Sequence, residues 1–86
     1  MKITLIGAGR LGKQIYLALI SNSNLEINQW FDRSSKKQTT AEGIKMISNL
    51  NNLKKADIYL LAISDSSILE VSKKLPSEAF VVHTAG

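Results

Sequence analysis

Three of the chain's five glycines lie within six positions, Gly7, Gly9 and Gly12, in the stretch KITLIGAGRLGKQ. They follow a short apolar run and precede a helical pattern, which is where a G-x-G-x-x-G sequence can bind phosphate. The first glycine permits a tight turn, the second leaves the backbone open to a pyrophosphate, and the third allows close packing of the helix. The start of the helix adds unpaired N–H groups and a partial positive charge. The spacing predicts a phosphate-binding turn.

An acidic residue stands where the second half of such a site is expected. Asp32 follows the predicted strand 26–31 and lies twenty residues after Gly12. In dinucleotide-binding folds, an acid at the end of the second strand hydrogen-bonds the adenosine ribose. The glycine pattern alone is weak, and a glycine-rich turn without a ligand is its structural alternative. The strand, the spacing, the helix and the acid together favour a dinucleotide site.

Two adjacent residues favour different dinucleotides. The carboxylate of Asp32 suits NAD, since it pairs with ribose hydroxyls and repels a 2′-phosphate. Arg33 suits NADP, because a guanidinium pairs with phosphate through two parallel hydrogen bonds. The hydroxyl and ammonium groups of residues 34–37 also suit a 2′-phosphate. The alternative for Lys36 and Lys37 is that they lie in a solvated loop. Arg10 either helps to hold the pyrophosphate or points to water.

Strands and helices alternate along the whole chain and must position these residues. The sequence predicts strands at 2–6, 26–31, 45–47, 57–63 and 79–83, of which the first, fourth and fifth contain the apolar runs ITLI, IYLLAI and AFVV. Helical patterns cover about three turns from Arg10 and residues 65–75, whereas 34–42 predicts a short helix or loop and 48–56 a short helical or irregular crossover. Strands with apolar runs on both faces indicate a parallel sheet covered on both sides. The predicted fold is α/β, a Rossmann-type doubly wound sheet of order 3-2-1-4-5.

Apolar spacing also predicts which side chains face the core. On the first helix these are Leu11, Ile15, Ala18 and Leu19, and on the second they are Ile68, Val71 and Leu75. The second helix could begin with a Ser67–Glu70 capping box or with Asp65 as the N-cap, and Pro76 stops it. Trp30 and Phe31 are predicted to pack the second strand against the helical layer.

Two more loops follow strands at the edge where ligands bind in open α/β sheets. In the loop 62–65, Ser64 and Asp65 are either helix caps or ligand contacts. In the loop 83–86, His83 either has a plain role in packing or at the solvent surface, or lies near a nicotinamide.

Composition excludes several other classes of protein. The 86 residues form one domain at most, and the absence of cysteine excludes disulfides and thiolate metal sites. A single histidine argues against a zinc site, so no metal is expected. No apolar run reaches the length of a membrane span, and no signal-peptide pattern is present, which predicts a cytoplasmic protein. The net charge of +4 is scattered, so no nucleic-acid surface is predicted.

Four segments together resemble a known family: IGAGRLG, FDRSSKK, ADIYLLAISDSSI and VVHTAG. They are similar to Rossmann-like NADP oxidoreductases related to pyrroline-5-carboxylate reductase and the β-hydroxyacid dehydrogenases. The best agreement is with a branch that carries H-T-[SA]-G in its last strand. The resemblance covers the whole chain, and its last two segments are more specific than its first.

The resemblance implies a role for each matching position. It assigns the phosphate loop to Gly7, Ala8, Gly9, Arg10, Leu11 and Gly12. It assigns the adenosine ribose or its phosphate to Asp32, Arg33 and Ser34, the cofactor groove to Ala62, Ile63 and Ser64, and the nicotinamide end to His83, Thr84 and Ala85. Two positions depart from the family: NADP-preferring relatives commonly have Asn or Ser in place of Asp32, and relatives often have Pro in place of Ser64. NADP is the expected cofactor, with NAD as the alternative.

Such enzymes continue into a helical domain that forms the dimer and closes the substrate site. Residues 1–86 are therefore expected to be a truncated dinucleotide-binding domain that lacks that helical part and is inactive alone. The predicted reaction is hydride transfer with a small carbonyl, imine or hydroxy compound, with no catalytic residue assignable. The alternatives are a non-catalytic nucleotide-sensing module and an adapter for protein contacts in which the glycines are structural.

Overall fold

The described part of the chain forms five strands and two α-helices. The structure, a computed structural model, describes residues 1–22, 24–76 and 79–83. The strands are β1 Lys2–Ile6, β2 Glu26–Phe31, β3 Met46–Ile47, β4 Ile58–Leu61 and β5 Phe80–His83. The helices are α1 Arg10–Ile20 and α2 Asp65–Ser72, and a 3₁₀ turn covers Leu50–Asn52.

All five strands form one parallel sheet in the order β3-β2-β1-β4-β5. The predicted Rossmann-type fold class and its strand order are confirmed. The chain moves outward from β1 through β2 to β3 and then crosses back to β4, so the strand order reverses beside β1. The carboxyl ends of β1, β2 and β4 meet at this reversal, which is where open α/β sheets bind ligands.

Each face of the sheet has its own apolar core. On the face that α1 covers, the buried members are Leu5, Tyr16, Ile27, Trp30 and Ala62. On the face that α2 covers, they are Ile6, Phe31, Ile47, Tyr59, Leu61 and Val71. Burial on both sides explains why β1 and β4 are apolar runs rather than alternating sequences.

A bulge in β2 decides which of its side chains face which helix. Ile27 pairs with Ile3 and Gln29 pairs with Thr4, which leaves Asn28 as an extra residue on β2. Because side chains alternate along a strand, one extra residue reverses the faces that follow. Trp30 consequently joins Ile27 on the α1 face. The expectation that Trp30 and Phe31 share one helical layer was wrong, since Phe31 lies on the α2 face.

A buried amide fastens the crossover between β3 and β4 to the sheet. Gln29 is 2% exposed. Its Nε2 donates to Thr4 Oγ1 at 2.9 Å and to the Lys54 carbonyl at 2.7 Å, and its Oε1 accepts from Lys54 N at 3.0 Å. The Tyr59 hydroxyl also accepts from Ala56 N at 3.0 Å. These bonds give the backbone of residues 54–56 partners that a helical crossover would have supplied internally.

Several sequence-based boundaries and faces differ from the structure. β4 and α2 are shorter than the predicted 57–63 and 65–75, whereas the segment 34–42 is a loop, which is one of the two predicted alternatives. The N-cap of α2 is Ser64, so the proposed Ser67–Glu70 capping box and the Asp65 cap were wrong. On α1, Ala18 is exposed and Tyr16 is buried, because the inward face is centred on Gly12 and Tyr16. Within the described ranges, no helix is long and apolar enough to cross a membrane.

We expect Gln29→Leu to lower the free energy of unfolding by about 2–3 kcal/mol, because it leaves the Lys54 N–H without its buried partner and the Lys54 carbonyl with only the longer bond from the Tyr59 hydroxyl at 3.4 Å. Urea denaturation followed by tryptophan fluorescence measures this loss. Asn28→Leu is the matched control, since the Asn28 side chain makes one exposed bond of 3.3 Å to the Lys55 carbonyl. Equal shifts in the two variants would contradict a structural role for the Gln29 bonds.

Candidate dinucleotide site

The turn after β1 requires glycine at its first position for two reasons. Gly7 has a φ of +114°, which side-chain-bearing residues rarely adopt. A Cβ atom at Gly7 would also lie 2.3 Å from the Ala62 carbonyl oxygen. The tight turn predicted at Gly7 is present, and it is also a close approach between the loops that follow β1 and β4.

The third glycine brings α1 against that same turn. Gly12 is buried, and a Cβ there would lie 2.3 Å from the Gly7 carbonyl oxygen. The indole Nε1 of Trp30 donates to this oxygen at 2.8 Å. The contact that Gly12 allows is therefore with the turn itself. Trp30, at the end of β2, holds the turn from the other side.

An aromatic stack supports the Trp30 contact. The rings of Tyr16 and Trp30 lie 4.3 Å apart between centroids at an angle of 14°. The Tyr16 hydroxyl donates to a Glu42 carboxylate oxygen and bonds Thr40 Oγ1 at 2.8 Å. Burial and the Glu42 carboxylate both raise the pKa of Tyr16, so the phenol stays protonated at neutral pH. These bonds link α1 to the loop that precedes β3.

The second glycine has no such structural requirement. Gly9 has a φ of −65°, which any residue adopts, and an added Cβ would meet nothing within 4 Å. It occupies the N-cap position of α1, where Ser, Thr, Asp or Asn would satisfy a backbone N–H of the first turn. No described side chain caps α1, and its first turn has no acidic residue. The N–H groups at this end of α1 are thus accessible beside a residue without a side chain.

A cleft of about 240 Å³ joins this turn to the ends of β2 and β4. Its lining includes five predicted site residues, Gly7, Ala8, Asp32, Arg33 and Ile63. It also includes three that the site prediction missed: Phe31, Ser67 and Val71. The α2 residues could have been anticipated from their i, i+4 spacing on a helix that starts at the ligand edge of the sheet.

The acidic end of the cleft is organised by a local turn. Asp32 is half-buried, and its Oδ1 accepts from the backbone N and the hydroxyl of Ser34, both at 3.1 Å. Ser34 therefore bonds Asp32 in the structure. The exposed Arg33 Nη2 lies 3.6 Å from Oε1 of Glu70 on α2.

The loop after β4 forms the remaining wall. Ala62 is buried with its carbonyl against Gly7, and Ile63 lines the cleft. The Ser64 hydroxyl lies 3.0 Å from that of Ser66. His83 lies at the end of β5 and bonds the Ile63 carbonyl through Nε2 at 3.1 Å, which attaches β5 to this loop.

Among the described residues, Arg10 and Leu11 do not line the cleft. Arg10 is exposed at the first position of α1, and Leu11 packs its side chain on the α1-face core. Thr84 and Ala85 lie outside the described residues.

The described residues offer chemical groups that suit the parts of a dinucleotide. The turn offers backbone donors beside Gly9 for a pyrophosphate. The end of β2 offers a carboxylate and a guanidinium for an adenosine ribose or its phosphate. The cleft between them has one apolar wall, from Ile63 and Val71, of the kind that accepts a flat base.

Comparison with known proteins finds similarity among solved structures. No protein-family model matches the chain, and no curated protein matches it. Among solved structures, it is similar to a Bacteroides fragilis protein named "putative NADP oxidoreductase", with a TM-score of 0.74 and 26% sequence identity. The alignment covers 98% of this chain and 35% of that protein. The chain thus spans about a third of the length of the structure that it matches.

We expect Gly12→Ala to lower the free energy of unfolding by about 3 kcal/mol, because the new methyl group collides with the Gly7 carbonyl. Gly9→Ser should change it by no more than about 0.5 kcal/mol, since the site is open and serine is a good N-cap. Urea denaturation of the two variants checks both values. A large loss in Gly9→Ser would mean that Gly9 is needed by the fold.

Proposed function

We propose that the chain is the dinucleotide-binding part of an NADP-dependent oxidoreductase. The observation that carries this proposal is the open, uncapped turn at Gly9. Neither the backbone conformation nor the internal packing requires glycine at this position. A glycine at this position is accounted for by a ligand that approaches the backbone. The likeness to the Bacteroides fragilis NADP oxidoreductase supports the same assignment.

The proposed binding roles follow the turn after β1, the end of β2 and the loop after β4. Backbone N–H groups at residues 9–12 would hold the pyrophosphate, with Arg10 available as a nearby cation. Asp32 and Arg33 would bind the adenosine ribose and its 2′-phosphate, and Ile63 would contact the base. Ala62, Ser64 and His83 would support the groove through the loop that follows β4. Thr84 keeps its proposed place towards the nicotinamide end.

NADP is proposed over NAD on the basis of charge. One oxygen of the Asp32 carboxylate already accepts two hydrogen bonds from Ser34, which disperse part of its negative charge. Arg33 is exposed at the mouth of the cleft, where its guanidinium can reach a 2′-phosphate. A guanidinium forms two parallel, charge-assisted hydrogen bonds with a phosphate, and it cannot form such a pair with a ribose hydroxyl.

The proposed reaction class is hydride transfer with a small carbonyl, imine or hydroxy compound. The nicotinamide of the bound cofactor would supply the hydride, and this chain's residues would bind and orient the cofactor. The substrate site and any dimer contacts are proposed to belong to a helical domain outside residues 1–86. A domain of this kind should bind the dinucleotide without catalysing a reaction alone.

We expect calorimetric titration of the wild-type chain to show NADPH binding, and we expect Gly9→Ser to weaken it by about tenfold or more. The serine side chain would occupy the space above the turn. Its oxygen would accept a hydrogen bond from a backbone N–H group that the pyrophosphate needs. Because Gly9→Ser should preserve folding, the loss would report on the ligand. The nucleotide proposal would be wrong if the folded wild-type chain bound neither NADPH nor NADH at millimolar concentration.

We expect Arg33→Ala to lower affinity for NADPH by about tenfold while changing affinity for NADH less than about twofold, because the lost guanidinium faces the 2′-phosphate. Paired titrations with the two cofactors measure the ratio. Lys55→Ala is the matched control, since it removes one positive charge before β4, at the opposite edge of the sheet. A wild-type preference for NADH would instead make Asp32 the deciding residue.

A further inference from the structure

Glu70 lies beside the proposed adenosine end of the cleft. On α2 it is three residues after Ser67 and next to Val71, and both of these line the cleft. Its Oε1 lies 3.6 Å from Nη2 of Arg33, and each of these side chains is 66% exposed. The sequence spacing suggested that Glu70 belongs to a capping box. Because α2 begins at Asp65, Glu70 is not in a capping position, and its carboxylate pairs with Arg33 instead.

The Arg33–Glu70 pair contributes little to folding. Two long side chains that are two-thirds exposed lose conformational freedom when they pair, and solvent screens their attraction. Its effect on a charged ligand is different, because a carboxylate beside Arg33 acts directly on any anion that uses the same guanidinium. The pair therefore matters most at the step where a ligand binds.

We propose that Glu70 is a specificity-determining residue that lowers affinity for the 2′-phosphorylated cofactor. This inference rests on the proposed function. Glu70 competes with the 2′-phosphate for the guanidinium of Arg33, and its charge repels the phosphate. A cofactor with a free 2′-hydroxyl has no charge at that position and meets neither penalty. Glu70 and Asp32 together thus limit the preference for NADP that Arg33 would otherwise give.

The geometry makes glutamine an informative replacement. Glu70→Gln keeps the size of the side chain and one oxygen that can accept a hydrogen bond, and it removes the negative charge. We expect it to raise affinity for NADPH by about three- to tenfold at low salt, while affinity for NADH changes less than about twofold. The gain should shrink at about 0.5 M salt, because exposed charges are screened over a few ångströms there.

Glu26→Gln is the matched control. Glu26 is an exposed acid at the start of β2, at the opposite edge of the sheet, and the substitution makes the same change in net charge. It should change affinity for both cofactors by less than about twofold. Comparison of the two variants separates a local effect at Arg33 from the general attraction of a more positive protein for a more negative ligand.

The experiment is calorimetric titration of the wild type, Glu70→Gln and Glu26→Gln with NADPH and NADH, each at low and high salt. A gain for NADPH that is specific to Glu70→Gln supports the inference. If Glu70→Gln matched Glu26→Gln, or lost affinity for NADPH, the inference would be overturned while wild-type binding still upheld the proposed function. If the wild type bound neither cofactor, both proposals would fall together.

Discussion

The close approach of three backbone segments at Gly7 is the constraint on which the site depends. The turn meets the Ala62 carbonyl on one side and the start of α1 at Gly12 on the other. Trp30 then fixes the Gly7 carbonyl with a hydrogen bond from β2. Because each contact joins a different strand end, the positions of β1, β2, β4 and α1 are set together. The open N-terminus of α1 is a product of that arrangement.

The two ends of the cleft are built by different means. At the turn, recognition would use backbone N–H groups, whose positions follow from α1 and are insensitive to the side chains around them. At the end of β2, the groups are the exposed or half-buried side chains of Asp32, Arg33 and Glu70. In the proposed function, affinity for a pyrophosphate would therefore depend on the fold, whereas discrimination at the ribose would depend on a few charges that can change independently.

The strand order and the turn could be predicted from sequence because both depend on local patterns. Apolar runs mark parallel strands, and the spacing of Gly7, Gly9 and Gly12 marks the turn. The face reversal at Asn28 could not be predicted, since a bulge depends on pairing between distant strands. The Arg33–Glu70 pair was missed for the same reason: its members are 37 positions apart, and they meet only when α2 folds over the cleft.

The bulge at Asn28 also decides where the chain can change length. Deleting Asn28 would remove the bulge and leave Ile27, Gln29 and Trp30 on the faces that they now occupy, because they already pair with successive residues of β1. Inserting one residue between Gln29 and Trp30 would instead turn Trp30 away from α1 and remove its hydrogen bond to Gly7. The exposed residues Ser21, Asn22 and Asn24, between α1 and β2, make no contact of this kind. In the interval between Gly12 and Asp32, β2 therefore tolerates the loss of its extra residue, whereas added residues are tolerated only before the strand.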